Sequence, residues 1–98
     1  LELPNLVGVE GEFLINELPL LRSIVANSLE TVGQYLRLEE LPALTEFEFR
    51  SLTTIASGGD SSLVLENNLQ CNRPRVNQQV QLNGCTCIDG VVDCDPVP

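Results

Sequence analysis

A 23-residue offset recurs in three separate blocks of this 98-residue chain. Leu18-Pro19-Leu20-Leu21 returns as Leu41-Pro42-Ala43-Leu44. Ser28-Leu29-Glu30-Thr31-Val32 returns as Ser51-Leu52-Thr53-Thr54-Ile55. Phe13 to Pro19 returns as Leu36 to Pro42. A fixed period in the range of about 20–29 residues marks leucine-rich stacked coils. Each such coil presents an apolar edge that only the next coil can cover. The prediction is a short leucine-rich solenoid of about three coils over residues 1–69, followed by a cystine-rich segment over residues 70–98.

The period is not uniform. Leu36-Arg37-Leu38-Glu39 reappears as Leu63-Val64-Leu65-Glu66, four residues late. The extra residues are assigned to Ser57-Gly58-Gly59-Asp60, a run of turn formers that suits a surface insertion. Upstream, Leu3-Pro4-Asn5-Leu6 repeats the Leu-Pro start only 15 residues before Leu18. The first coil therefore reads as short, lacking the Ser-Leu-x-Thr-Val block.

Tyr35 to Glu39, Phe47 to Arg50 and Ser62 to Glu66 alternate apolar and polar residues, as half-buried strands do. The linking stretch is ambiguous, because Leu21, Ile24, Val25, Ser28, Leu29 and Val32 also fit helical spacing between Pro19 and Gly33. Its Thr, Val, Ile and Phe content favours strand. The expected class is all-β, with short helical turns allowed.

The unit x-Leu-x-Leu/Ile-x-x-Leu-Pro-x-Leu, followed by Ser-Leu-x-Thr-Val/Ile, resembles the receptor L domain and related fungal cell-wall leucine-rich proteins. The resemblance covers residues 3–69. It implies a right-handed β-solenoid used outside the cell for ligand binding or wall structure.

Cys71, Cys85, Cys87 and Cys94 crowd the last third of the chain. An even number of cysteines in a small segment suggests disulfides and an oxidising, extracellular compartment. A zinc site needs four thiolates here, since His is absent, and the one-residue spacing of Cys85 and Cys87 suits zinc poorly. Asp89-Gly90 between β-branched residues signals a type I′ hairpin turn. Counting outward from that turn sets Cys85 opposite Cys94 as a close, non-hydrogen-bonded pair, about 4.5 Å apart at Cα. The expected bridges are Cys85–Cys94 and, by remainder, Cys71–Cys87. The string from Cys85 to Cys94 also resembles the start of a von Willebrand factor type C module.

The net charge of −9 argues against nucleic acid, whose phosphates would repel the chain. No apolar run approaches the ~18 residues of a membrane span. Without His, the usual general base and the Ser/His and Cys/His nucleophile arrangements are missing, so neither enzymatic activity nor a cofactor is expected. Glu39, Glu40, Glu46 and Glu48 read as solvated surface. Residues 1–66 hold most of the acids, while residues 67–88 hold none and include Arg73 and Arg75. That asymmetry would let neighbouring copies meet head to tail.

The leading expectation is a secreted structural module that self-associates into a homo-oligomer or homopolymer. Its expected interface residues are Leu1, Leu3, Leu6, Val7, Val9, Val97 and Pro98, on the ground that the short first coil leaves an open edge. Two alternatives stand beside it. One is a receptor or adhesion fragment that binds an extracellular protein or glycan through residues such as Tyr35 and Arg37. The other is a small cystine-rich inhibitor presenting Ile88-Asp89-Gly90-Val91.

Overall fold

The computed structural model describes residues 1–55, 62–76, 80–81 and 83–94. The described residues form twelve strands in three four-stranded sheets, with no helix among them. Sheet A runs β12 (Val91–Asp93), β11 (Cys85–Ile88), β6 (Glu46–Phe49), β3 (Ser23–Val25). Sheet B runs β1 (Gly8–Val9), β4 (Thr31–Val32), β7 (Thr54–Ile55), β10 (Val80–Gln81). Sheet C runs β2 (Phe13–Asn16), β5 (Tyr35–Glu39), β8 (Ser62–Glu66), β9 (Arg73–Val76).

The sequence period is the register of these sheets. Gly8 pairs with Thr31, Phe13 with Leu36, Ser23 with Glu46 and Thr31 with Thr54, all parallel. Tyr35 pairs with Ser62, so the longer offset falls between β5 and β8. The candidate insertion, residues 57–60, lies outside the described residues. The chain thus passes through sheets A, B and C in order, three times. Backbone hydrogen bonds link successive rounds at the corners too, including Thr45 N to Arg22 O and Thr53 N to Glu30 O.

The first round is complete, which corrects the expectation of a short one. Glu2 forms a parallel bridge with Val25, and Leu3 N donates to Val25 O at 2.8 Å. Leu3-Pro4-Asn5-Leu6 therefore stands one period before Ala26-Asn27-Ser28-Leu29, not in the place of Leu18 to Leu21. Its Leu-Pro start is a chance likeness. Asn5-Leu6-Val7-Gly8-Val9 fills the position of the block thought absent. The stretch with helical spacing is β3, a turn and β4. Leu29 N donates to Ala26 O, and Leu52 N repeats this to Phe49 O, so two tight turns recur one period apart.

After β8 the chain reverses. It returns through sheet C as β9, sheet B as β10 and sheet A as β11, antiparallel to β8, β7 and β6. This fourth layer covers the third round, which sequence left open. The reversal pivots on Asn68, which is 92% buried (8% exposed). Its side chain accepts from Leu41 N at 3.2 Å and donates to Leu38 O at 2.9 Å and Cys71 O at 2.8 Å. Buried backbone groups need such partners when no ladder supplies them.

Asp89 (φ 52°) and Gly90 (φ 80°) form the expected hairpin turn between β11 and β12. Cys85 bridges Cys94, with Cα atoms 4.3 Å apart, and Cys71 bridges Cys87 at 5.9 Å. All four cysteines lie in the core. That core is built from leucine, isoleucine and valine around Phe13, Phe47 and Phe49. Phe13 meets Phe49 edge-on at 5.8 Å, a favoured aromatic geometry. The core is continuous from the first round to the reversed layer.

Candidate functional site

Three regions could act on something outside the chain: the outer face of sheet C, the recesses of sheets A and B, and the two ends. The outer face of sheet C holds Tyr35, Arg37 and Glu39, alternating with the buried Leu36 and Leu38. Arg37 Nη1 lies 3.2 Å from Glu12 Oε1 and donates a hydrogen bond to it. Its Nε lies 3.2 Å from Glu39 Oε1, but the angle is not that of a hydrogen bond, so that contact is Coulombic. Its guanidinium carbon sits 4.8 Å from the Tyr35 ring centre. These part-exposed contacts contribute roughly 0.2–1 kcal/mol each. Together they engage Arg37 in fastening the first round to the second. Arg50 is similarly engaged, with Nε 2.6 Å from Glu48 Oε1.

A shallow groove of about 480 Å³ runs across sheet B over Gly8, Thr31 and Thr54. It exists because these outward positions hold small side chains, while Val32 and Ile55 point into the core. A second recess of about 150 Å³ lies between Arg50, Asn83, Thr86 and Asp93. Both are open to solvent. Among the described residues no group of three His, Cys, Asp or Glu side chains could hold a metal ion. With every cysteine in a disulfide, no thiolate is available as ligand or nucleophile. No helix of the described residues is long and apolar enough to cross a membrane.

The ends differ from the middle. Among the described residues, the exposed large apolar side chains are Leu1, Val7, Leu14, Leu18, Leu20, Leu69, Ile88 and Val91. The first five belong to the first round and the last three to the reversing segment. None falls between Leu21 and Asn68. Leu20 is 86% exposed and Val91 67%. Among the described residues, the same ends carry the sheet edges: β1 and β2 at one, β9, β10 and β12 at the other. Edge strands present unpaired backbone groups that invite another chain.

The residues singled out from sequence divide accordingly. Leu1 and Val7 are exposed in the first round. Leu3, Leu6 and Val9 pack against the core and are only partly accessible. Val97 and Pro98 lie outside the described residues. Sequence reasoning missed Leu14, Leu18 and Leu20. Leu14 was recognisable, since it alternates with the inward Phe13 on β2 and so must face outward. Leu18 and Leu20 sit in repeated positions whose counterparts Leu41 and Ala43 gave no warning, because Leu41 is buried. No protein-family model, no curated protein and no solved structure matches the chain.

Proposed function

We propose that this chain is a secreted, non-enzymatic structural module, a short leucine-rich right-handed β-solenoid that self-associates end to end. The observation that carries the reading is that, among the described residues, the exposed large apolar side chains are confined to the first round and the reversing segment, beside the edge strands of the sheets. Isolated surface apolar residues are ordinary, but clusters mark contact surfaces. Two unlike ends that meet head to tail make a heterologous contact, and such contacts build filaments when they do not close. The two disulfides fit an oxidising, extracellular compartment.

A binding role like that of receptor L domains has less support. The three Phe side chains are buried, and Arg37 is held by Glu12, Glu39 and Tyr35. The inhibitor reading rests only on the exposed hairpin tip at Ile88 and Val91.

Light scattering over a concentration series tests the proposal. The expected mass exceeds the monomer's 10.7 kDa and climbs with concentration. A mass fixed at the monomer value up to high concentration removes the reading.

A further inference from the structure

Resting on the end-to-end reading above, we propose that the junction between copies is made at one corner of the coil, where Leu1, Leu18 and Leu20 of one copy seat against Leu69, Ile88 and Val91 of another. That corner follows β2, β5 and β8, the strands of sheet C, and leads toward sheet A. Glu17, Glu40 and Asn67 open its three passages with the same positive φ. Asn16 pairs with Glu39 and Glu39 with Glu66, offsets of 23 and 27 residues. The same offsets align Leu18 with Leu41 and Asn68, and Leu20 with Ala43 and Gln70. Leu41 is buried between two passages, whereas Leu18, in the first, is exposed. Leu69 stands in the last passage. Leu1 joins the first set, because Val25 N donates to Leu1 O in sheet A. The hairpin tip joins the last: a Cβ on Gly90 would lie 3.4 Å from Gln70 Oε1, and Ile88 and Val91 flank that turn. Among the described residues, six of the eight exposed large apolar side chains thus share one corner, three at each end.

The occupant that fits each half of the corner is a second copy. Stacking along the coil axis repeats the step that sets one round on another, so it carries the first-round half onto the last-round half. Among the described residues sheet A has one level more than sheets B and C, so its side of each end meets the neighbour first. With the 23 Å dimension along the stack, each end is 32 × 28 Å across, an ellipse of about 700 Å², close to the ~800 Å² each partner gives to a standard interface. Charge favours contact between unlike ends. Residues 67–72 carry no charge, so the neighbour's Glu17 follows Asn67 rather than a third carboxylate. Two first-round ends in contact would set Glu2, Glu10 and Glu17 against the same acids. One like pair remains in the stack. Glu2, Val25, Glu48, Thr86 and Asp93 form one row of sheet A, so the neighbour's Glu2 follows Asp93.

The test uses single variants of the full chain, read as the concentration at which sedimenting assemblies first form. Leu20→Asp and Val91→Asp place a carboxylate in the apolar contact from opposite sides, and each is expected to raise that concentration about tenfold or more. Leu14→Asp adds the same charge on the outer face of sheet C, away from the corner, and is expected to change it less than about twofold. Glu2→Gln removes the like pair and is expected to lower it by about two- to threefold. All four sites are exposed, and matching thermal melts keep folding defects apart from interface defects. Wild-type assembly that either Leu20→Asp or Val91→Asp leaves unchanged, that Leu14→Asp weakens as strongly, or that Glu2→Gln does not promote overturns the corner junction and leaves self-association standing. A wild-type chain that stays monomeric overturns both.

Discussion

At the scale of single residues, the fold depends on a few backbone positions that recur once per round. Glu17, Glu40 and Asn67 each follow a strand of sheet C and each adopt positive φ, at 54°, 53° and 56°. The corner after each strand requires the left-handed conformation, which costs an ordinary side chain roughly 1–2 kcal/mol. Asn tolerates it better than Glu. Glu40→Asn is therefore expected to stabilise the chain by about 0.5–1 kcal/mol, read as a rise in the urea midpoint. Gly33 has a different constraint, since a Cβ there would come within 1.8 Å of Glu10 O. Gly33→Ala must push two rounds apart. Asn68→Ala leaves Leu41 N, Leu38 O and Cys71 O without their side-chain partner. The expected loss is about 2–4 kcal/mol in urea unfolding. The period made the positions of Glu17 and Glu40 equivalent in sequence. It did not reveal their conformation, because Glu is not a left-handed signal.

Among the elements, the reversed layer governs the exposure of the third round. β9, β10 and β11 satisfy the edges of β8, β7 and β6. The disulfides hold this layer: Cys71–Cys87 ties its start to its last strand across 16 residues, and Cys85–Cys94 closes the hairpin across nine. Removing the first bridge with Cys71→Ser and Cys87→Ser together is expected to cost about 3 kcal/mol by loop entropy. It should also expose the third-round edges, so thioflavin binding or turbidity is expected to rise on mild heating of that variant. Unchanged melting and solubility would mean that the layer holds without its staple. The hairpin and the Cys85–Cys94 bridge were legible in sequence because Asp89-Gly90 fixes a register over ten neighbouring residues, and Cys71–Cys87 followed by remainder. The reversal was not. β11 pairs Cys85 with Phe49 and Cys87 with Phe47, across 36 and 40 residues, and no local motif announces an antiparallel return. The false Leu-Pro start at Leu3 came from the same weakness. A four-residue motif constrains the fold less than the period, which runs unbroken from Glu2 to Ile55.

For the whole molecule, the count of strands per sheet shapes any assembly. Among the described residues, sheets B and C have four levels, whereas the bridge at Glu2 gives sheet A a fifth. The molecule measures 32 × 28 × 23 Å, and five levels about 4.8 Å apart, with four gaps between them, span about 19 Å, nearest the shortest dimension. One extra strand on one side is a wedge. Spread over a width of 28 Å, it tilts each copy against the next by about 10°. Assemblies are accordingly expected to curve or coil in negative-stain images, and straight fibres would show that the Glu2 strand or β12 gives way at the junction. The net charge of −9 adds a salt dependence. Going from 0.1 to 1 M salt shortens the screening length from about 10 to about 3 Å. Each copy carries a net charge of −9, so screening their mutual repulsion is expected to let assembly begin at lower concentration. The measurement that bears most directly on end-to-end stacking is the axial repeat of the assembled chain, by fibre diffraction. The account predicts a strand reflection near 4.8 Å along the fibre axis and about 19–24 Å per copy, four to five strand levels. A strand spacing perpendicular to the axis, with a repeat set by the 28 or 32 Å dimension, would mean that the copies associate side by side and that the ends are not the working surfaces.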